Sequence, residues 1–155
     1  MPDPTARPIL IAYDGSEHAR VAIERAGALF GPRAAVVACV WSPVAPAAAA
    51  ASIAAPRPLV YEGARALDIK ERERAEGIAR TGALLAADAG LAAEARAIRG
   101  DGAPWRALVD CAAAIDAEAV VAGTRGRSRA VSAVLGSTAA GILHHAHRPV
   151  LVVPA

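Results

Sequence analysis

Short apolar runs alternate along the chain with longer segments whose apolar residues recur at helical spacing. The runs have the length of strands and lie near residues 9–13, 34–41, 91–98, 118–122 and 149–153. Parallel strands need crossover connections of a dozen or more residues, and the intervening segments are long enough for helices. This alternation predicts an α/β fold, with an open, twisted, parallel five-stranded sheet and helices on both faces. The prediction places residues 1–155 in a single domain.

Composition limits the other possibilities. A chain of 155 residues with 55% hydrophobic residues and a net charge of +2 suits one domain with one core. No apolar run reaches the roughly 18 to 20 residues that span a bilayer, and the stretch MPDPTARP lacks a signal-peptide core, so no membrane association and a cytoplasmic location are expected. Acidic and basic residues alternate, which argues against nucleic acid as a partner.

The segment from residue 43 to residue 58 interrupts this regular pattern. It holds four prolines and many alanines without usable periodicity. This composition predicts a long, flexible loop at the carboxyl end of the second strand. A lid over a site and a tolerated insertion are both compatible with it, and the insertion is favoured because the segment offers little chemistry.

The most specific motif is VVAGTRGRSRAVSAVLGS, from Val120 to Ser137. Its glycines and serine follow the spacing G-x2-G-x9-G-S directly after an apolar run. Glycines let a backbone approach a bulky anion, and the free N–H groups at a helix start attract negative charge. The motif therefore predicts a loop that binds the phosphates of a nucleotide. Any one of these glycines alone would more often be an ordinary turn residue.

At these residues the sequence resembles the universal stress protein family, whose nucleotide-binding members carry the same glycine spacing. The resemblance extends from ILIAYDGSEHARVAIERA near the start to AGTRGRSRAVSAVLGSTAAGILHHAHRPVLVV near the end. It implies a Rossmann-like sheet with strand order 3-2-1-4-5, and a homodimer joined through the edge strand at residues 149–153. It also implies an adenine pocket lined by backbone groups, at positions that match Ala12 and Val40.

The candidate nucleotide site combines these positions with the glycine motif. Asp14 directly follows the first strand, where a carboxylate can bind a ribose or help hold Mg²⁺ beside phosphates. Arg125 stands where many family members have histidine, which leaves its side-chain role open. The full candidate set is Ala12, Asp14, Val40, Ala122, Gly123, Thr124, Arg125, Gly126, Arg127, Gly136, Ser137 and Thr138.

Several of these residues also have ordinary structural interpretations. Asp14 can serve the turn before Ser16, which is a good helix N-cap, and Ser137 or Thr138 can cap the last helix. The arginines of the loop can simply be solvated. The histidines at positions 144, 145 and 147 are more plausible as polar groups at a helix C-terminus than as metal ligands, because neighbouring helical positions diverge.

Three functions stay open at this stage. The favoured one is a stress-response sensor or regulator that binds ATP, AMP or a cyclic nucleotide, with Mg²⁺ as an expected companion of ATP. A slow ATPase or nucleotidyl transferase ranks second, because the sequence shows no positioned base beyond Asp14. A protein that keeps the fold without the ligand ranks third, because it has no physical need for the glycine spacing.

Overall fold

The computed structural model describes residues 6–44, 57–125 and 135–154. Strands and helices alternate through this part of the chain. In chain order they are β1 (Ile9–Ala12), α1 (Glu17–Phe30), β2 (Ala34–Trp41), α2 (Arg57–Asp88), β3 (Ala92–Arg99), α3 (Pro104–Ala114), β4 (Ala119–Gly123), α4 (Ser137–His145) and β5 (Val150–Val153).

The five strands form one parallel sheet in the order β3-β2-β1-β4-β5, as predicted. The registers pair Leu10 of β1 with Val36 of β2 on one side and with Val120 of β4 on the other. All three side chains lie almost wholly buried. The sheet order reverses direction between β1 and β4, which makes their carboxyl ends the topological switch point.

Each face of the sheet packs against its own pair of helices. On one face, Ile9 and Ile11 of β1 contact a cluster that includes Ile23 of α1 and Ala86 of α2. On the other, Leu10 belongs to a cluster with residues of α3 and α4, including Leu108 and Ile142. Successive side chains of a strand point to opposite faces, so both faces of the central strands must be apolar. The continuous apolar runs of the sequence meet this requirement.

Helix α2 begins earlier than the sequence predicts. The periodicity indicates a helix from about Tyr61, but the helix starts at Arg57, so residues 57 and 58 of the predicted loop are helical. Pro58 is the second residue of the helix, where proline is tolerated because a first-turn N–H has no partner within the helix. Most of the predicted loop, residues 45–56, lies outside the described residues. A hydrogen bond from the Val44 N–H to the Asp68 carboxylate, 2.6 Å long, joins the end of the β2 segment to α2.

Small residues let the helices lie close to the sheet. At Gly82 of α2, an added Cβ would lie 2.5 Å from the Tyr13 ring and 2.7 Å from Val37. A larger residue there would force α2 away from β1 and β2. None of the helices in the described ranges is long and apolar enough to cross a membrane.

Candidate nucleotide-binding site

A cavity of about 280 Å³ opens at the carboxyl ends of β1 and β4. Its floor comes from the ends of β1 and β2, and its sides come from the start of α3, the end of β4 and the start of α4. In open parallel sheets, ligands bind at such a switch point, beyond the carboxyl ends of the strands. The fold therefore places this cavity where the sequence predicted a site.

Ten of the twelve predicted residues line this cavity. They are Ala12, Asp14, Val40, Ala122, Gly123, Thr124, Arg125, Gly136, Ser137 and Thr138. The other two, Gly126 and Arg127, lie outside the described residues. The geometry brings together four segments of the chain, although their role in nucleotide binding stays a prediction.

The start of α1 is held by two side chains beside the cavity. Ser16 is the N-cap, and its hydroxyl accepts a hydrogen bond of 3.2 Å from the Ala19 N–H. The Asp14 carboxylate accepts a hydrogen bond of 3.0 Å from the Ser16 N–H. The structural role considered for Asp14 is therefore real, and the same side chain also lines the cavity.

The start of α4 also lines the cavity, but it has no side-chain cap in the described ranges. Gly136 is the N-cap residue, and no side chain in the described ranges caps the helix. The prediction that Ser137 or Thr138 caps α4 is wrong, because both residues lie inside the helix, past the N-cap position. A backbone bond of 2.7 Å from the Gly136 N–H to the Thr124 carbonyl joins the two ends of the glycine loop.

Gly123 is needed where β4 passes the start of α1. A Cβ at this position would lie 2.8 Å from the backbone carbon and oxygen of His18. Backbone atoms cannot move aside as a flexible side chain can, so the close approach requires glycine. The nearby Thr124 hydroxyl and His18 Nδ1 are 3.4 Å apart. The sequence interpretation assigned Gly123 only to phosphate contact and did not foresee this packing role.

Sequence reasoning also missed several residues around the cavity. Three of them line it: Tyr13, Pro104 and Leu108. His18 does not line it but contacts the Thr124 hydroxyl. Tyr13 was assigned to the strand alone, although its place directly before Asp14 was a usable signal. Burial raises the pKa of the Tyr13 phenol above its usual range, and the Asp14 carboxylate raises the pKa further.

The histidines near the C-terminus lie away from the cavity lining. His144 and His145 occupy the last turn of α4. The His145 ring stacks on Trp105 of α3 with the ring centroids 4.3 Å apart. No group of three or more potential metal ligands occurs within residues 6–44, 57–125 and 135–154.

Comparison with known proteins places the chain in a family. The profile of the universal stress protein family matches residues 5–154. The chain belongs to the universal stress protein family. No match was found among curated protein sequences.

Solved structures similar to this universal stress protein share its fold along nearly the whole chain. Hypothetical protein MJ0577 is 20% identical, with a TM-score of 0.75 and 96% of each chain covered. A universal stress protein solved in complex with cAMP is 26% identical, with a TM-score of 0.60, covering 95% of this chain and 96% of that one. The universal stress protein of Archaeoglobus fulgidus in complex with dAMP is 20% identical, with a TM-score of 0.57, covering 95% and 97%.

Proposed function

We propose that this universal stress protein binds an adenine nucleotide in the cavity at the switch point and acts as a stress-response sensor or regulator. The observation that carries the proposal is the N-terminus of α4, which opens on the cavity with no side-chain cap in the described chain. The first N–H groups of a helix have no partners within the helix and carry partial positive charge. A phosphate group satisfies both needs.

The rest of the cavity suits a nucleoside. Ala12 is the last residue of β1, Val40 lies next to the last residue of β2, and Leu108 adds an apolar wall. Backbone groups at the strand ends can hydrogen-bond adenine edges, while the apolar walls contact its faces. The structural neighbours in complex with cAMP and dAMP support an adenine ligand. The cavity volume lies near the lower end of the range for ligand pockets, about 300 Å³.

ATP with Mg²⁺ is the ligand that we propose within this class. Asp14, Arg125 and the start of α4 all line the cavity. Phosphate oxygens together with one carboxylate are a common ligand set for Mg²⁺. In this arrangement Asp14 would hold the ion while keeping its bond to the Ser16 N–H.

We propose binding rather than efficient turnover, in a cytoplasmic protein. Phosphoryl transfer needs a group that positions the nucleophile in addition to metal ligands. In the described part of the cavity lining, Asp14 is the one carboxylate. Cys39 and Cys111 are buried thiols and are not joined in a disulfide, which suits a reducing compartment.

The test is calorimetric titration of nucleotide-stripped protein with ATP and Mg²⁺, AMP and cAMP in parallel. Thr138→Trp fills the cavity beside the α4 N-terminus and is expected to abolish binding. Thr81→Trp is the matched control, because Thr81 lies on the exposed side of α2, and it is expected to bind normally. Undiminished binding by Thr138→Trp would place the ligand elsewhere. No binding of any of the three ligands by the unsubstituted protein would refute the proposal.

Turnover is tested on the same samples by phosphate release from ATP and Mg²⁺. We expect no release above the rate of the Thr138→Trp variant. Steady Mg²⁺-dependent release that disappears in Asp14→Ala would make the protein an ATPase instead.

We also propose a homodimer through the edge strand β5. Val150, Leu151 and Val152 are only half-buried, and β5 ends the sheet on that side within the described residues. Apolar edge strands tend to pair with other chains unless they are protected. Sedimentation is expected to show a dimer at micromolar concentration, and Val152→Lys is expected to shift it toward monomer. A monomeric unsubstituted protein would contradict the proposal.

A further inference from the structure

A second groove lies at the opposite edge of the sheet, between α2 and β3. Its volume is about 590 Å³, and we call it the β3 groove. The small side chains of Ala79, Ala95 and Ala97 lie along it, and Trp41 lies at one end of β2. Its remaining lining residues are charged: Arg72, Glu76, Arg80, Arg96 and Arg99.

Positive charge exceeds negative charge among the side chains on this face, with Arg72, Arg80 and Arg99 against Glu76. Glu76 lies between two of the arginines, 2.9 Å from Arg72 and 4.0 Å from Arg80. A single carboxylate therefore faces two guanidinium groups. The side chains of both arginines are 66% exposed, and ion pairs so open to water are weak. A ligand carboxylate can therefore compete for them at low cost.

The arginines on the strand side have exposed partners as well. Arg96 contacts Glu94 at 2.6 Å, and Arg99 contacts Asp101 at 3.0 Å. These carboxylates do not line the groove. Side chains alternate along β3, and Ala97 faces α2, so Arg96 and Glu94 point to the opposite face, where Arg96 lies beside Cys111 of α3. Arg99 is therefore the strand arginine that an incoming anion would meet from the groove side, and its partner Asp101 lies outside the lining.

β3 is also an edge strand with a free side. It pairs with β2 along all eight residues, from Ala92 to Arg99. It ends the sheet, and no further strand in the described chain pairs with its outer edge. An edge strand presents a row of N–H and C=O groups on which an extended peptide can add.

We propose that the β3 groove binds an extended acidic segment of a partner protein, which adds as a strand beside β3 and places carboxylates on Arg72 and Arg80. These arginines are eight positions apart in α2, which is a rise of about 12 Å along the helix. In an extended peptide, residues four apart lie about 13 Å apart and point to the same face. Glutamates at positions i and i+4 therefore match the two guanidinium groups.

A peptide fits this surface better than a nucleic acid. Glu76 lies between Arg72 and Arg80, and Glu94 and Asp101 flank the strand arginines. A continuous phosphate backbone would meet these carboxylates at short intervals and be repelled. A peptide alternates charged and neutral side chains, and so it can avoid them.

The test is fluorescence anisotropy with a labelled nine-residue peptide that alternates glutamate and threonine, titrated with the full chain. Binding is expected, and it is expected to be lost when glutamine replaces glutamate. Arg72→Gln with Arg80→Gln is expected to weaken binding about tenfold or more. Arg65→Gln with Arg74→Gln removes the same charge from exposed positions of α2 outside the groove lining, and it is expected to change binding less than about twofold.

Strand addition is tested separately by hydrogen exchange. The peptide is expected to slow exchange of amides in β3 and not in β5. Saturating ATP and Mg²⁺ is expected to leave peptide affinity unchanged, because the groove and the switch-point cavity share no lining residue. Equal weakening by both arginine pairs, unchanged exchange in β3, or tighter binding of an oligothymidine of equal charge would each overturn the proposal. None of these results bears on nucleotide binding at the switch point.

Discussion

The switch-point cavity and the β3 groove belong to the same sheet but differ in what forms their walls. The cavity is lined largely by strand ends, small residues and a helix N-terminus, so its chemistry comes mainly from the backbone. The groove is lined by long arginine side chains above alanines, so its chemistry comes from side chains. Backbone groups keep their direction when side chains change, provided that the close packing survives. The cavity should therefore depend on sterics, and the groove should depend on charge.

The largest expected effect is steric and belongs to the cavity. Gly123→Ala would place a Cβ 2.8 Å from the His18 backbone, so we expect it to lower the free energy of unfolding by about 2 kcal/mol. The control is Gly77→Ala on α2, beside Glu76 of the groove, where an added Cβ meets nothing within 4 Å. This change is expected to raise stability by about 0.5–1 kcal/mol. Urea denaturation measures the free energy of unfolding of both variants. Equal changes would show that the close approach of the His18 backbone does not restrict position 123.

The next effect concerns the cap of α1. Ser16→Ala removes the hydroxyl that accepts from the Ala19 N–H and is expected to cost about 1 kcal/mol. Ser16→Asp keeps an acceptor at the N-cap and is expected to cost less. If thermal denaturation shows no difference between the two variants, the side-chain cap at Ser16 does not stabilise α1.

A smaller effect concerns Tyr13 at high pH. Burial raises the pKa of Tyr13 in the folded protein above the ordinary value of about 10. Its contribution to stability is therefore complete below pH 10 and is lost as pH rises through the folded-state pKa. The chain has two tyrosines, so Tyr61→Phe leaves Tyr13 as the one phenol to follow by ultraviolet absorbance. If the absorbance titration of Tyr13 in the folded protein has its midpoint at or below pH 10, the phenol is not desolvated by burial.

The smallest effect is expected in the groove. Arg72→Gln with Arg80→Gln breaks only exposed ion pairs, so stability is expected to change by less than about 0.5 kcal/mol. Chemical denaturation of this double variant measures the change, and the double variant Arg65→Gln with Arg74→Gln is the control. A loss of more than 1 kcal/mol would mean that the arginines hold α2 on the sheet and are structural.

Much of the fold was predictable because its signals are local. The runs around Leu10, Val36 and Val120 are apolar on both strand faces, and this indicates strands covered by helices on two sides. The start of α2 was not predictable in this way, because Pro58 was interpreted as a loop residue although the first turn of a helix accepts it. The strand order came from the family resemblance, since strand periodicity does not encode which strands are neighbours.

The candidate site, like the fold, was predictable only in part. The glycine spacing and the position of Asp14 indicated which segments meet, and ten predicted residues line one cavity. The dual role of Asp14 and the uncapped start of α4 required the structure, because a hydrogen bond depends on where the backbone turns. The structure also shows that one side of the charged helix α2 lines the β3 groove.

The sequence by itself determined the alternation of strands and helices, the two apolar faces of the sheet and the loop motif after β4. These properties follow from the spacing of residues within one segment. Only the tertiary structure decided that the backbone of His18 leaves no room for a Cβ at Gly123. It also decided that Trp41, Arg72 and Arg99 line the same groove. Such contacts join residues far apart in the chain, and their distances exist only once the crossovers have placed each helix against its strands.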